Sequence, residues 1–142
     1  MRMKRLKSLR IKNNLTQKEI ATILGIKRST YAGWELGTNI ITLRKLVMLS
    51  NFYKSSIDYM VGMSLCNRYV SDMKIDLHTI GNNLKSIRIN NKKTQKEMAD
   101  FLKISVSSYT LYELGKILIP TKFIYKIAKK FNCSIDYIIT KK

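Results

Sequence analysis

Residue types that mark several common protein classes are scarce in this 142-residue sequence. It has two cysteines and one histidine, too few for the ligands of a zinc finger or zinc ribbon. No apolar run approaches the ~18 residues of a membrane-spanning helix. The basic N-terminus has no apolar segment behind it, so no signal peptide is predicted. These absences favour a cytoplasmic protein without a metal or a membrane partner.

Groups suited to catalysis are also scarce. Asp and Glu together number nine, and neither a glycine-rich phosphate loop nor metal-ligand spacing is found in the sequence. We therefore expect a protein that is not an enzyme and that needs no cofactor.

Positive charge, by contrast, is abundant. Lys and Arg number 27, which gives a formal net charge of +18. Residues 1–62 carry 12 basic and 3 acidic residues, and residues 63–142 carry 15 and 6, so both halves share the charge. Such an excess suggests a polyanionic partner, nucleic acid first and an anionic membrane second. A lysine-rich host proteome would produce the same composition without a partner.

The sequence repeats itself at an offset of 78 residues without a gap. Residues 6–62 align with residues 84–140, with 23 identities in 57 pairs. The repeated unit is therefore a whole domain and not a short solenoid repeat. We predict a first domain at residues 1–62, a linker at 63–76 and a second domain at 77–142.

Each repeat carries the signals of five short helices. In the first repeat Thr16 and Glu19 form a T-x-x-E capping box at the start of the second helix. Gly25 permits the positive φ that ends this helix. In the second repeat Lys103 replaces this glycine, so we expect the turn to be made with a small backbone strain. The first helix is predicted over residues 2–13. The predicted buried face of the second helix consists of Ile20, Ala21, Ile23 and Leu24.

The second and third predicted helices of each repeat are joined by a tight turn. The two stretches are TQKEIATILGIKRSTYAGWELG at residues 16–37 and TQKEMADFLKISVSSYTLYELG at residues 94–115. Two short helices that meet at a steep angle form a helix-turn-helix, whose second helix can enter the DNA major groove.

Both repeats resemble the Cro/repressor-type helix-turn-helix family, also called the XRE family. The first repeat shows R-x5-T-Q-x-E-x-A, then L-G-I, S-T-Y and W-E-x-G, and finally S-S-I-D-Y. The second repeat shows an arginine, TQKEMA, ISVSSY, YELG and CSIDY. The resemblance implies an all-α protein of two tandem five-helix lambda-repressor-like DNA-binding domains.

The same resemblance implies a function. Members of this family are mostly transcriptional repressors or regulators, and they normally pair across a two-fold axis on a pseudo-palindromic operator. We therefore expect a sequence-specific transcriptional regulator of double-stranded DNA, with repression as the expected outcome. Helix 3 of one or both domains would enter the major groove.

Individual residues of the first domain take roles from this resemblance. Gln17 is expected at a backbone phosphate, where a helix N-terminus also offers N–H groups. Arg28 is the best candidate for base reading, because arginine can bind guanine O6 and N7 with two hydrogen bonds. Thr30 is expected near the backbone, and Thr38 and Asn39 near phosphates. The other positions expected at the DNA are Lys27, Ser29, Ala32 and Gly33.

The equivalent face of the second domain is more neutral, because Val106 replaces Arg28 and Leu111 replaces Gly33. This face could read A·T-rich sequence through thymine methyl groups. It could instead hold a protein partner, as in an antitoxin or a repressor antagonist, and the sequence leaves both interpretations open. The second-domain positions expected at DNA are Gln95, Ser105, Val106, Ser107, Ser108, Thr110, Leu111 and Lys116.

Two further expectations concern structure and assembly. The resemblance implies structural ion pairs between Arg10 and Glu35 and between Arg88 and Glu113. Half-sites on one face of DNA lie ~34 Å apart, and an extended linker of residues 63–76 spans at most ~46–50 Å. One chain could therefore act as its own pseudo-dimer, and a homodimer with four domains is the alternative.

Overall fold

Ten helices form the secondary structure of residues 1–141, the range that the structure, a computed structural model, describes. This range contains no strand, so the predicted all-α class is confirmed. Lys142, which the predicted second domain includes, lies outside the described residues. No helix in the described range is long and apolar enough to cross a membrane.

The helices fall into two units, Met1–Met73 and Lys74–Lys142. The first unit contains α1 (Leu6–Lys12), α2 (Gln17–Leu24), α3 (Arg28–Leu36), α4 (Leu43–Tyr53) and α5 (Ile57–Met60). The second unit contains α6 (Leu77–Asn90), α7 (Gln95–Leu102), α8 (Val106–Glu113), α9 (Thr121–Lys130) and α10 (Ile135–Thr140). Each unit therefore has the five helices of a lambda-repressor-like domain.

Local sequence signals explain the start and the end of α2. The Thr16 hydroxyl accepts the Glu19 N–H at 3.1 Å, and the Glu19 carboxylate accepts the Thr16 N–H at 3.0 Å. Gly25 then ends the helix with a φ of 68°. In the second unit Lys103 makes the same turn with a φ of 58°. Because a side chain crowds the backbone in this conformation, lysine there costs roughly 1–2 kcal/mol.

Two predictions about the first unit were wrong. The first helix begins at Leu6 and not at residue 2, because the backbone just before it bonds to α5 and does not continue the helix. Met3 is buried, and the Arg5 N–H donates to the Met60 carbonyl at 3.1 Å. Ile23 is 51% exposed, because it lies about 100° around α2 from the centre of the buried face.

Aromatic residues fix how the third helix of each unit is rotated. In α3, Tyr31 and Trp34 are buried and meet edge to face, with ring centroids 5.9 Å apart. In α8, Tyr109 and Tyr112 repeat this contact at 6.4 Å. Because these rings face the core, the opposite side of each helix faces solvent.

Residues 63–73, most of the predicted linker, are ordered along α4 and α5. The Asn51 amide donates to the Met73 carbonyl at 2.9 Å and accepts the Met73 N–H at 2.8 Å. Lys54 pairs with Asp72 at 2.9 Å. The span of about 46–50 Å calculated for a fully extended linker therefore overstates its free length.

Equivalent polar residues hold the last helix of each unit. In the first unit, Arg5 donates to the carbonyls of Tyr59 and Ser64 at 2.5 and 3.0 Å. In the second unit, the buried Asn83 lies at the same repeat position, and its amide nitrogen is 2.9 Å from the carbonyls of Ile138 and Lys141. Asn83 thus satisfies carbonyls that the end of α10 leaves without helical partners.

Asn83→Ala should destabilise the second unit. We expect a loss of about 1–3 kcal/mol, because the buried bond to the Ile138 carbonyl is lost. Native-state hydrogen exchange of the backbone amides of α6 and α10 would measure this loss of stability. Asn82→Ala changes an exposed neighbour on the same helix and should stay within about 0.5 kcal/mol of wild type. Equal effects of the two variants would contradict the assigned role of Asn83.

Candidate nucleic-acid interface

The solvent-facing start of α3 presents three predicted DNA-contacting residues together. Lys27 precedes the helix, and Arg28 and Ser29 begin it, all with exposed side chains. Thr30 and Ala32 are half-buried beside them. The turn before the helix is closed by the Ile26 N–H, which donates to the Ala21 carbonyl at 3.0 Å. The first turn of α3 therefore projects its side chains away from the core.

A chain of hydrogen bonds connects this exposed turn to a buried ion pair. Arg10 Nε lies 2.7 Å from Glu35 Oε1, and these side chains are 12% and 5% exposed. The Gln17 amide donates to Glu35 Oε2 at 2.8 Å. Arg28 in turn donates to the Gln17 amide oxygen at 3.1 Å. The guanidinium of Arg28 is thus held by the scaffold through Gln17.

The second unit contains the same ion pair and the same glutamine. Arg88 Nε lies 2.7 Å from Glu113 Oε2, and Gln95 donates to Glu113 Oε1 at 3.3 Å. Val106 has no polar group to continue the chain of hydrogen bonds. The Thr110 hydroxyl lies 3.0 Å from the Gln95 amide oxygen and 2.8 Å from the Val106 carbonyl, and its one proton can go to either. The threonine therefore uses its donor within the scaffold.

The third helix of each unit, α3 in the first and α8 in the second, also begins differently. The Ser105 hydroxyl accepts the Ser108 N–H at 3.1 Å and donates to the Ser108 hydroxyl at 2.9 Å. Lys27, at the equivalent place before α3, makes no side-chain capping bond. The first N–H groups of α3 therefore have no capping side chain to accept them, which suits a phosphate oxygen.

The loop after α3 covers part of the helix. Gly33 is buried, although its position was predicted to face DNA, and the side chain of Asn39 lies over it. Asn39 itself is exposed, as is Thr38. Among the predicted second-unit residues, Ser105, Val106, Ser107, Leu111 and Lys116 are exposed, and Gln95, Ser108 and Thr110 are half-buried. Contact of each residue with DNA stays a prediction.

Comparison with known families identifies both units. A family model described as "Helix-turn-helix" matches residues 6–60, and one described as "Helix-turn-helix domain" matches residues 81–142. The chain belongs to the XRE-type helix-turn-helix family, with two such domains in tandem.

Three relatives from Bacillus subtilis (strain 168) are similar to this chain over a stretch about as long as one of its two domains. The uncharacterized HTH-type transcriptional regulator YobD is 38% identical over 64 residues, which are 45% of this chain and 57% of the relative. The HTH-type transcriptional regulator AnsR is 39% identical over 62 residues, 44% of this chain and 53% of the relative. The uncharacterized HTH-type transcriptional regulator YqaE is 40% identical over 57 residues, which are 40% of this chain and 49% of the relative. The chain thus spans about half the length of these relatives.

Sequence reasoning missed two contacts near the helix-turn-helix. The half-buried Lys45 donates to the Leu24 carbonyl at 2.8 Å and so joins α4 to the end of α2. A lysine within the apolar pattern of α4 was the available signal. The second missed contact is that of Asn39 with Gly33. The available signal for it was that both positions differ between the two repeats.

The buried carboxylate of the second domain has a shifted pKa. Burial alone would raise the pKa of Glu113, but its side-chain hydrogen bonds, the one with Arg88 first, together outweigh burial and lower the pKa. Hydrogen bonding to Glu35 and Glu113 raises the pKa values of Arg10 and Arg88. The Arg88–Glu113 pair therefore stays charged at neutral pH.

Acid should destabilise the second domain through Glu113. Because its folded pKa lies below the ordinary value of 4.5, its stabilisation is complete above that pH and disappears as pH falls through the folded pKa. Glu113→Gln should remove this part of the acid sensitivity, while lowering stability at pH 7. Urea unfolding of the second domain between pH 7 and pH 3 would measure both effects.

Asp100→Asn provides a control on the same domain. It breaks only the exposed bridge to Lys96, whose partners are 74% and 65% exposed, and such bridges contribute little. The acid dependence should survive this change. An unchanged acid dependence in Glu113→Gln would contradict the role given to Glu113.

Proposed function

We propose that this protein is a sequence-specific regulator of transcription that binds double-stranded DNA and acts as a repressor. The observation that carries the proposal is the held arginine of the first domain. Arg28 stands exposed at the start of α3, and Gln17 connects it to the buried Glu35. An arginine fixed in this way can meet guanine O6 and N7 without losing further side-chain freedom.

Charge and helix ends support binding to the DNA backbone. The net charge of +18 favours association with any nucleic acid, independent of its sequence. The uncapped first turn of α3 and the adjacent Lys27 suit a phosphate beside the base contacted by Arg28. Backbone contacts of this kind would position the helix, and Arg28 would discriminate between sequences.

The unequal domains support an asymmetric operator. The first domain presents Arg28, whereas the second presents Val106 at the same repeat position. If both helices enter major grooves, the two half-sites differ in sequence. We propose that the chain binds such an operator as an intrachain pseudo-dimer or as a homodimer.

The relatives support a regulatory role of the same kind. Each of the three is named as an HTH-type transcriptional regulator. We propose that this chain also regulates transcription and, as its sequence leads us to expect, that it acts in the cytoplasm without enzymatic activity or a cofactor.

Arg28→Ala should relax specificity at one base pair. Selection from a random duplex library at a stated salt concentration should enrich one motif with the wild-type protein. The variant should lose the preference for one G·C pair, which is worth about 1–3 kcal/mol. Arg28→Lys keeps the charge but loses the planar two-bond geometry, so it should weaken the same preference while retaining the salt dependence.

Gln17→Ala gives a complementary result. It should weaken binding to all sequences, and it should also loosen Arg28, because Arg28 donates to Gln17. Lys18→Ala removes an exposed charge beside it and serves as the control. Strong binding by the wild-type protein without any sequence preference would refute the regulator proposal.

A second candidate function is supported by the surface of the second domain. Val106, Leu111 and Ile117 are 40%, 38% and 43% exposed. Apolar side chains gathered at a recognition helix suit a protein partner as well as thymine methyl groups. We therefore keep a protein-interaction module, such as an antitoxin or a repressor antagonist, as the alternative.

Leu111→Asp should separate the two candidates. If the second domain holds a protein, this variant should lose a partner that the wild-type protein captures from host extract. Leu36→Asp introduces the same charge at an exposed leucine of the first domain and should retain the partner. Recovery of nucleic acid alone by the wild-type protein would exclude the alternative.

A further inference from the structure

A side chain from the loop occupies the space above Gly33. A Cβ atom added to Gly33 would lie 2.2 Å from Nδ2 and 2.7 Å from Cγ of Asn39. The amide of Asn39 thus stands where a side chain of residue 33 would begin. Gly33 is buried beneath it, whereas Asn39 remains exposed.

The loop backbone that carries Asn39 is fixed to α3. The N–H groups of Thr38 and Asn39 both donate to the Gly33 carbonyl, at 2.9 and 3.3 Å. The Thr38 hydroxyl donates to the same carbonyl at 3.3 Å. Gly37 permits the reversal with a φ of 81°. The main chain beside the Asn39 amide is therefore anchored to the recognition helix.

Position 33 lies on the face expected to read bases. Ser29 and position 33 are four residues apart, so they are neighbours on one side of α3. Glycine alone would leave this side without a polar group after Ser29. The Asn39 amide supplies one from outside the helix.

The second domain differs at both positions. Leu111 stands at the place of Gly33, and Ile117 at the place of Asn39. Both residues are apolar and more than one third exposed. In the first domain the small Gly33 occurs with the amide of Asn39. In the second domain the larger Leu111 occurs with the aliphatic Ile117. This is expected if the two residues of each pair form one surface.

We propose that Asn39 is a base-reading residue of the first domain and that it recognises an adenine in the major groove. An asparagine amide offers a donor and an acceptor that match adenine N7 and N6. This inference rests on the proposed DNA-binding function. It replaces the phosphate contact expected for Asn39, because the amide lies over the reading face of α3.

The test compares the motifs that variants select from a random duplex library. Asn39→Ala should reduce the preference for one A·T pair by roughly 5- to 150-fold, the range for a good bidentate contact, and leave the pair read by Arg28 unchanged. Gly33→Ala should affect the same A·T pair, because the new methyl group displaces the Asn39 amide. Ile117→Ala, at the equivalent place in the second domain, should leave that pair unchanged.

Asn39→Asp keeps the size of the side chain and removes its donors. It should shift the preferred base from adenine towards cytosine, whose N4 group donates to a carboxylate. This change of preference could not come from a structural role alone. Circular dichroism melting of each variant would verify that the helices remain folded.

Failure of the inference differs from failure of the proposed function. If the wild-type protein enriches a motif, yet Asn39→Ala lowers affinity equally for all sequences, Asn39 contacts only the backbone and the inference is wrong. If the wild-type protein enriches no motif, the proposed function itself is wrong.

Discussion

A buried arginine–glutamate pair supports the candidate reading surface in each domain. Arg10 and Glu35 have little exposed surface, so their charges are stable there only because each satisfies the other. Gln17 bonds to this pair and Arg28 bonds to Gln17, so a buried interaction sets the position of an exposed guanidinium. Loss of one partner of such a pair typically costs 3–5 kcal/mol when it is fully buried. The stability of the fold and the position of the candidate reading residue therefore depend on the same ion pair.

The two domains share this support and differ in what it holds. In the second domain the Thr110 hydroxyl lies beside the amide oxygen of Gln95, and the first turn of α8 is capped by Ser105. Its exposed face carries Val106 and Leu111 beside two serines, while the first domain presents the charged Arg28 and the amide of Asn39. Duplication of one scaffold has thus produced two surfaces with different chemistry. Under the proposed function, this difference would let the chain read two different half-sites, or bind one DNA site and one partner protein.

Most of the fold could be predicted from local signals. The capping boxes and the turn at Gly25 placed α2 and α3 correctly, because these signals act within one or two turns of a helix. The predicted start of α1 was wrong, since Arg5 bonds to α5, which lies more than fifty residues away along the chain. The exposure of Ile23 was also missed, because an apolar residue at the edge of a helical stripe carries no local sign of its burial.

The sequence by itself determined the duplication, the helix class, the capping and the residue types on each recognition helix. These properties follow from short-range periodicity and from the repeat. Only the tertiary structure decided that Gln17 connects Arg28 to the buried pair and that Asn39 lies over Gly33. Both contacts join residues from different elements, and their distances depend on how helices and loops pack. Spacing along the chain carries no such information, so the composition of the surface could be predicted and its arrangement could not.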